Sequence, residues 1–123
     1  MRKVLIVEDD HDLQLLLEKT LRKAGYETMS ENSGCPIVNK QCALPDVFII
    51  DKMLSIIDGI ALCKFLRINE VTKNIPIILI SGDHEVGKRA VEVGADYFMH
   101  KPLSIADLVE IIENLCARKL DAI

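Results

Sequence analysis

The 123-residue chain predicts an α/β fold: an open, doubly wound, five-stranded parallel sheet of (βα)5 form, with helices on both faces. Three observations carry that expectation. Short β-branched runs alternate with helical patterns five times along the chain. Three of the runs are apolar at every position, as strands covered on both faces are. The connections are short, so right-handed crossovers return each strand parallel to the one before. Five strands are too few to close an eight-stranded barrel, which leaves the open sheet. A chain of this length suits one domain, 1–123, with a radius of gyration of about 14 Å.

The first strand is Val4–Val7. After it, Leu13, Leu16, Leu17, Thr20, Leu21 and Ala24 follow the spacing of a buried helix face, and Gly25 supplies a left-handed stop. Glu27–Ser30 forms the second strand, and Pro36 suits the first turn of a weaker second helix. Val47–Ile50 is the third strand. A third helix starts at Asp58-Gly59 and buries Ala61, Leu62, Phe65 and Leu66. Ile77–Ile80 is the fourth strand, followed by a helix running up to Gly94. Ala95–Met99 completes the sheet. The last helix begins at Ser104, an N-cap with Asp107 three residues on, and buries Leu108, Ile111, Ile112 and Leu115.

Composition narrows the function. Hydrophobic residues make up 50% of the chain and charged residues 28%, enough for a real core. With 15 basic and 19 acidic residues and no basic run, the chain lacks the footprint of direct nucleic-acid binding. Apolar runs such as Val47-Phe48-Ile49-Ile50 are far shorter than the roughly twenty residues of a membrane span. Met1-Arg2-Lys3-Val4 opens no signal-peptide stretch. Cys35, Cys42, Cys63 and Cys116 form no C-x-x-C pair and read as reduced thiols of a cytoplasmic protein, with Cys63 and Cys116 packing as small apolar groups. His11, His84 and His100 lack metal-ligand spacing, and His84 and His100 read as surface residues.

Open parallel sheets place their sites in the loops at the carboxyl ends of the strands. Here the first strand ends in Glu8-Asp9-Asp10, the third in Asp51, the fourth in Ser81-Gly82 and the fifth in Lys101-Pro102. In the flavodoxin-like strand order 2-1-3-4-5 the first and third strands are neighbours, so Glu8, Asp9 and Asp51 converge. Two carboxylates about 4 Å apart repel by about 4 kcal/mol at an effective dielectric of about 20. Three require shifted pKa values or a cation. All-oxygen ligation with open positions suits Mg²⁺ together with a phosphate. The Ser81 hydroxyl and Lys101 ammonium complete a set fitted to a phosphoryl group, and an aspartate can itself become an aspartyl phosphate.

At these residues the chain resembles the response-regulator receiver domains of two-component signalling. The resemblance runs from Lys3-Val4-Leu5-Ile6-Val7-Glu8-Asp9-Asp10 through the final helix. It implies that Glu8 and Asp9 are the acidic pair, Asp9 binding Mg²⁺ directly and Glu8 holding a water. Asp51 falls on the phosphoacceptor, also at the metal, with Asp58-Gly59 following at the usual distance. The Met53 backbone carbonyl falls on a further metal ligand. Ser81, followed by Gly82, matches the switch hydroxyl, Phe98 the switch aromatic, and Lys101-Pro102 the lysine with its typically cis proline. The implied reaction is Mg²⁺-dependent transfer of a phosphoryl group to Asp51 from a phosphohistidine of a sensor histidine kinase or histidine phosphotransfer protein. The chain is then no enzyme but a phosphoacceptor that assists its own phosphorylation and dephosphorylation. Its signalling surface is built by the fourth helix, fifth strand and fifth helix, facing a downstream effector that the sequence does not name. Two features depart from the family. Ser55 stands where most receivers carry proline, and the stretch from Ser81 to Gly94 is tighter than usual, so the fourth helix is short.

Plainer readings stand beside these. Asp10 and Asp12 read as an acidic helix N-terminus favoured by the helix dipole, and Phe98 also fits an ordinary core aromatic. Gly82-Asp83-His84-Glu85-Val86-Gly87-Lys88 fits G-x-x-x-x-G-K, but Arg89 replaces the metal-binding Ser or Thr of a P-loop and two acids would face the phosphates. A flavodoxin role fails because the acids after the first strand would repel a flavin phosphate. Two alternatives share the fold's chemistry. One is a small aspartate-nucleophile phosphatase of haloacid-dehalogenase type, for which Asp10-His11-Asp12 offers D-x-D. The other is a pseudo-receiver that binds but is never phosphorylated.

Overall fold

Unbroken runs of valine, isoleucine and leucine leave a strand no side that tolerates water, and such runs set the centre of this molecule. The structure, a computed structural model, describes residues 2–38, 43–52, 54, 57–83 and 85–121. Its elements are β1 (Lys3–Val7), α1 (His11–Lys23), β2 (Glu27–Glu31), α2 (Cys35–Val38), β3 (Val47–Asp51), α3 (Gly59–Ile68), β4 (Ile77–Ser81), α4 (Val86–Glu92), β5 (Tyr97–His100) and α5 (Ile105–Asp121). The strands form one parallel sheet in the order β2-β1-β3-β4-β5, with β2 and β5 at the edges.

Alternation divides the central strands between two layers. Val4, Ile6, Val47, Ile49, Ile78 and Ile80 pack with Leu17 and Leu21 of α1 and Leu108 and Ile112 of α5. Leu5, Val7, Phe48, Ile50, Ile77 and Leu79 pack with Ile37 of α2, Ile60, Leu62 and Leu66 of α3, and Val86 of α4. Each fully buried side chain of this size contributes about 1.5–3 kcal/mol. The pairing is in step: Val7 lies beside Ile50, Asp51 beside Ile80 and Ser81 beside His100. Glu8 therefore emerges level with Asp51, and the loops after β1, β3, β4 and β5 open on one edge.

Several expectations shift in detail. The buried stripe of α1 is Gln14, Leu17 and Leu21, while Leu16 is 50% exposed and Ala24 is exposed. Leucines at 13, 15, 16 and 17 fit two overlapping stripes, and the one that includes Gln14 reaches polar partners at the strand ends. In α3, Ile60 and Cys63 are buried, Ala61 is exposed and Phe65 half-buried, because apolar residues surround most of that helix and its pattern does not select a face. Strand β5 starts at Tyr97 rather than Ala95. The Asp96 N–H donates to the Ile77 carbonyl at 2.9 Å, but the Ile77 N–H goes to the Asp96 carboxylate at 2.8 Å instead of to a backbone carbonyl, so regular pairing begins one residue later. His100 is half-buried, its Nε2 lying 3.0 Å from the Gly82 carbonyl oxygen. Cys63 and Cys116 are buried free thiols, and burial pushes the Cys63 thiol up to about 12.

The predicted terminators hold. Gly25 has φ +99°, the left-handed geometry of a helix stop. Ser104 Oγ accepts from the Asp107 N–H at 3.4 Å, and α4 spans only seven residues. Among the described residues, no helix is long and apolar enough to cross a membrane.

At the end of the sheet opposite these loops, Arg67 of α3 ties three segments together. Its guanidinium donates to the carbonyls of Gly94 (2.7 Å), Ile75 (2.7 Å) and Lys73 (3.2 Å) and pairs with the Asp96 carboxylate. Arg67→Ala is expected to lower stability by about 2 kcal/mol. Urea unfolding would show this as a lower midpoint with an unchanged slope. Arg67→Lys should recover only part of the loss, because an ammonium lacks the planar fork. A midpoint equal to the parent's in Arg67→Ala would contradict this role.

Candidate functional site

Each candidate side chain is placed by the last residues of a strand. Glu8 follows β1, its N–H donating to the Glu31 carbonyl at 3.0 Å and its own carbonyl accepting from Gln14 Nε2 at 3.2 Å. Asp51 and Ser81 are the final residues of β3 and β4. Lys101 follows β5 and extends its pairing with β4, its N–H donating to the Ser81 carbonyl at 2.8 Å; the Lys101-Pro102 peptide bond is cis.

The Lys101 ammonium crosses to two carboxylates, 2.7 Å from Asp51 Oδ2 and 3.3 Å from Glu8 Oε1. Glu8 is 0% exposed, Asp51 2% and Ser81 1%, while Asp9 is exposed. Glu8, Asp9 and Asp51 each offer a carboxylate oxygen, and these atoms lie within 4.8 Å of one another. The Lys101 ammonium thus pairs with two of the three carboxylates. Burial, then the hydrogen bond and charge of Asp51, push the Glu8 carboxyl up to about 8 although Lys101 pulls it down. Burial alone would lower the Lys101 pKa, but its bonds and charge interactions with Asp51 and Glu8 outweigh that and raise it.

Glu8 Oε2 is buried without a hydrogen-bond partner. A buried carboxylate oxygen in that position is costly unless protonated or ligating a cation. The orphaned oxygen and the oxygen-only donor set fit a hard divalent ion such as Mg²⁺.

Ser81 sits one strand from Asp51, and its Oγ accepts the Asp83 N–H at 3.0 Å. Phe98 stands apart from the acids. It is half-buried on the α2–α3–α4 side, and a Cβ on Gly87 of α4 would lie 3.3 Å from its ring. Gly82 and Pro102 are exposed loop residues flanking Ser81 and Lys101. Met53, Ser55 and His84 lie outside the described residues. Asp10 turns away as the N-cap of α1, accepting from the N–H groups of Asp12 and Leu13. The P-loop-like stretch is no anion cradle: the Asp83 carboxylate already takes the Glu85 N–H at 3.0 Å.

Gln14 carries no signal in the sequence. Gly59 is flagged there as a helix start and by its distance from Asp51, but not as a packing contact: its Cβ would sit 2.3 Å from the Asp51 carbonyl oxygen and 2.7 Å from Lys52 Cα. The N-terminus of α3 is pressed against the backbone that carries Asp51, with the Gly59 N–H donating to the Lys52 carbonyl at 3.0 Å. Only glycine fits there.

The sequence profile of the response regulator receiver domain matches residues 4–113. The chain belongs to that family. As a receiver domain it is 32% identical over 120 residues to the transcriptional regulatory protein GltR of Pseudomonas aeruginosa, covering 95% of this chain and 50% of that protein. The chain spans about half the length of the curated relatives it matches. It is similar to the crystal structure of a response regulator from Chloroflexus aurantiacus, with a TM-score of 0.88, 36% identity and coverage of 94% of this chain and 98% of that one. It is also similar to the receiver domain of a sensor histidine kinase from Pseudomonas aeruginosa, with a TM-score of 0.85, 25% identity and coverage of 94% and 98%. That structure has a magnesium ion coordinated in its active site cleft.

The raised Glu8 pKa makes metal-free stability depend on pH. The unfolded chain releases the Glu8 proton near 4.5, whereas the folded protein keeps it to about 8. The contribution is whole below about pH 4.5 and is lost as pH climbs through 8. In a chelator, the parent should lose on the order of 3 kcal/mol more than Glu8→Gln between pH 5 and pH 8. Parallel pH profiles of urea midpoints in the two proteins would refute this assignment. Gly59→Ala should unfold at lower temperature and, by displacing Asp51, also alter the folded site; a melting point within a degree or so of the parent's would show that the contact yields.

Proposed function

We propose that this receiver domain is a Mg²⁺-assisted phosphoacceptor of the cytoplasm, taking a phosphoryl group onto Asp51 from a phosphohistidine of a sensor histidine kinase or histidine phosphotransfer protein. The observation that carries the reading is the buried Asp51 carboxylate held 2.7 Å from Lys101 beside the carboxylates of Glu8 and Asp9. An Asp51 oxygen attacks phosphorus in line, the new O–P bond forms, and the N–P bond breaks with its electron pair returning to the imidazole nitrogen. Lys101 neutralises charge developing on the phosphoryl oxygens. Glu8, Asp9, Asp51 and the Met53 carbonyl are the proposed metal ligands, Glu8 through a water. Bound Mg²⁺ would supply further neutralisation of those oxygens.

Ser81 Oγ accepts from Asp83 N–H, so its own proton can be donated to a phosphoryl oxygen. Movement of Ser81 and of the Gly82 loop would let Phe98 follow, biasing the surface of α4, β5 and α5 toward an effector, with Pro102 shaping the turn that carries Lys101. This is a shift between existing populations. Neither direct nucleic-acid binding nor membrane contact is part of the proposal. The phosphatase alternative is disfavoured because Asp10 serves as a helix cap instead of facing Asp51.

Incubation with acetyl phosphate and Mg²⁺ should add one phosphoryl mass, lost on adding a chelator beforehand and in Asp51→Asn. Persistent labelling of Asp51→Asn would overturn the assignment. A folded parent that takes no label would point to the pseudo-receiver, and steady turnover of general phosphate esters to the phosphatase.

A further inference from the structure

We infer that Gln14 is a positioning residue that holds the Glu8–Asp9 segment in the geometry needed to bind the metal. The inference rests on the reading of Glu8, Asp9 and Asp51 as a Mg²⁺ site. Asp9 is the exposed member of the three, so burial does little to order it. Its order has to come from the residues on either side: Asp10 is fixed as the N-cap of α1, and the Glu8 carbonyl is held by the Gln14 side chain. The Gln14 backbone N–H makes the ordinary helical bond to the Asp10 carbonyl at 2.9 Å, which any residue there would make, while the side-chain Nε2 donates to the Glu8 carbonyl at 3.2 Å.

The remaining proton of the same amide points to a second anchor, Asn32 Oδ1, at 3.3 Å in the segment after β2. With Gln14 only 7% exposed on the inward face of α1, this amide has little freedom to exchange its partners for water. The first turn of α1, the end of β1 and the β2–α2 connection are thereby joined at one side chain. Fixing ligands before the ion arrives removes an ordering cost from binding, and groups that act through the ligands typically change metal affinity by about 10–100-fold.

Gln14→Leu keeps the bulk of the side chain, removes both side-chain donors and leaves the helical N–H bond to Asp10 in place. Its Mg²⁺ dissociation constant, measured by isothermal titration, should rise about tenfold or more. The Mg²⁺ concentration giving half-maximal acetyl phosphate labelling should rise in parallel, with a far smaller change in the rate at saturating Mg²⁺. Asn32→Ala, on an exposed residue, should shift both in the same direction by a smaller factor. A purely structural role would lower the melting temperature of the metal-free protein and leave the dissociation constant where it was. That outcome in folded Gln14→Leu overturns the inference; if Gln14→Leu does not fold, an unchanged constant in Asn32→Ala overturns it. A folded parent that binds no Mg²⁺ overturns the metal site itself, and this inference with it.

Discussion

Three carboxylates and one ammonium meet where the central strands end, and that excess of negative charge constrains everything around it. The contact of Lys101 with Asp51 and Glu8 offsets part of the repulsion. The remainder is visible in Glu8, whose carboxyl is driven toward its neutral form and whose second oxygen has no partner. Both Glu8 and Asp51 are buried, where the dielectric is too low to screen them. The surrounding fold supplies the compensation. Two apolar layers hold β1 and β3 side by side, so the acids cannot drift apart to relieve the strain. The fold therefore holds together a site that is unfavourable to itself and that fits a hard cation.

The rigidity needed for this arrangement comes from backbone contacts more than from the acids. Gly59 lets α3 touch the peptide carrying Asp51, the Ser81 carbonyl is paired with the Lys101 N–H, and Gln14 closes the loop after β1. Arg67 braces the far end of the sheet, away from the charged edge. These contacts surround the site, and Phe98, the proposed switch aromatic, lies outside the charged cluster.

Much of this was legible in the residues alone. The strands were readable because runs such as Val4–Val7 and Ile77–Ile80 tolerate only a doubly covered environment, and the alternation then imposed the topology. The acids and Lys101 were readable because polar residues directly after such runs have to sit at the sheet's edge. The inward face of α1 was not, since four leucines within five positions satisfy more than one stripe and a buried glutamine settled the matter. Strand β5 was misplaced by two residues because a side chain, Asp96, substitutes for backbone pairing, which hydrophobic periodicity does not encode. The contact of Gly59 and the role of Gln14 escape for a related reason: each acts on the backbone of a site residue, through a distance that only three-dimensional placement defines.

The edge position of β5 has a mechanical consequence. Strands β1, β3 and β4 each pair with a strand on two sides, but among the described strands β5 pairs with β4 alone. A small tilt or slide of β5 strains a single set of bonds, whereas the same motion in β3 would strain two and carry Asp51 with it. The sheet is therefore stiff along its axis and compliant at its margins, and the margin at β5 is bordered by the seven-residue helix α4. Chemistry can stay fixed at the centre while shape changes at the rim.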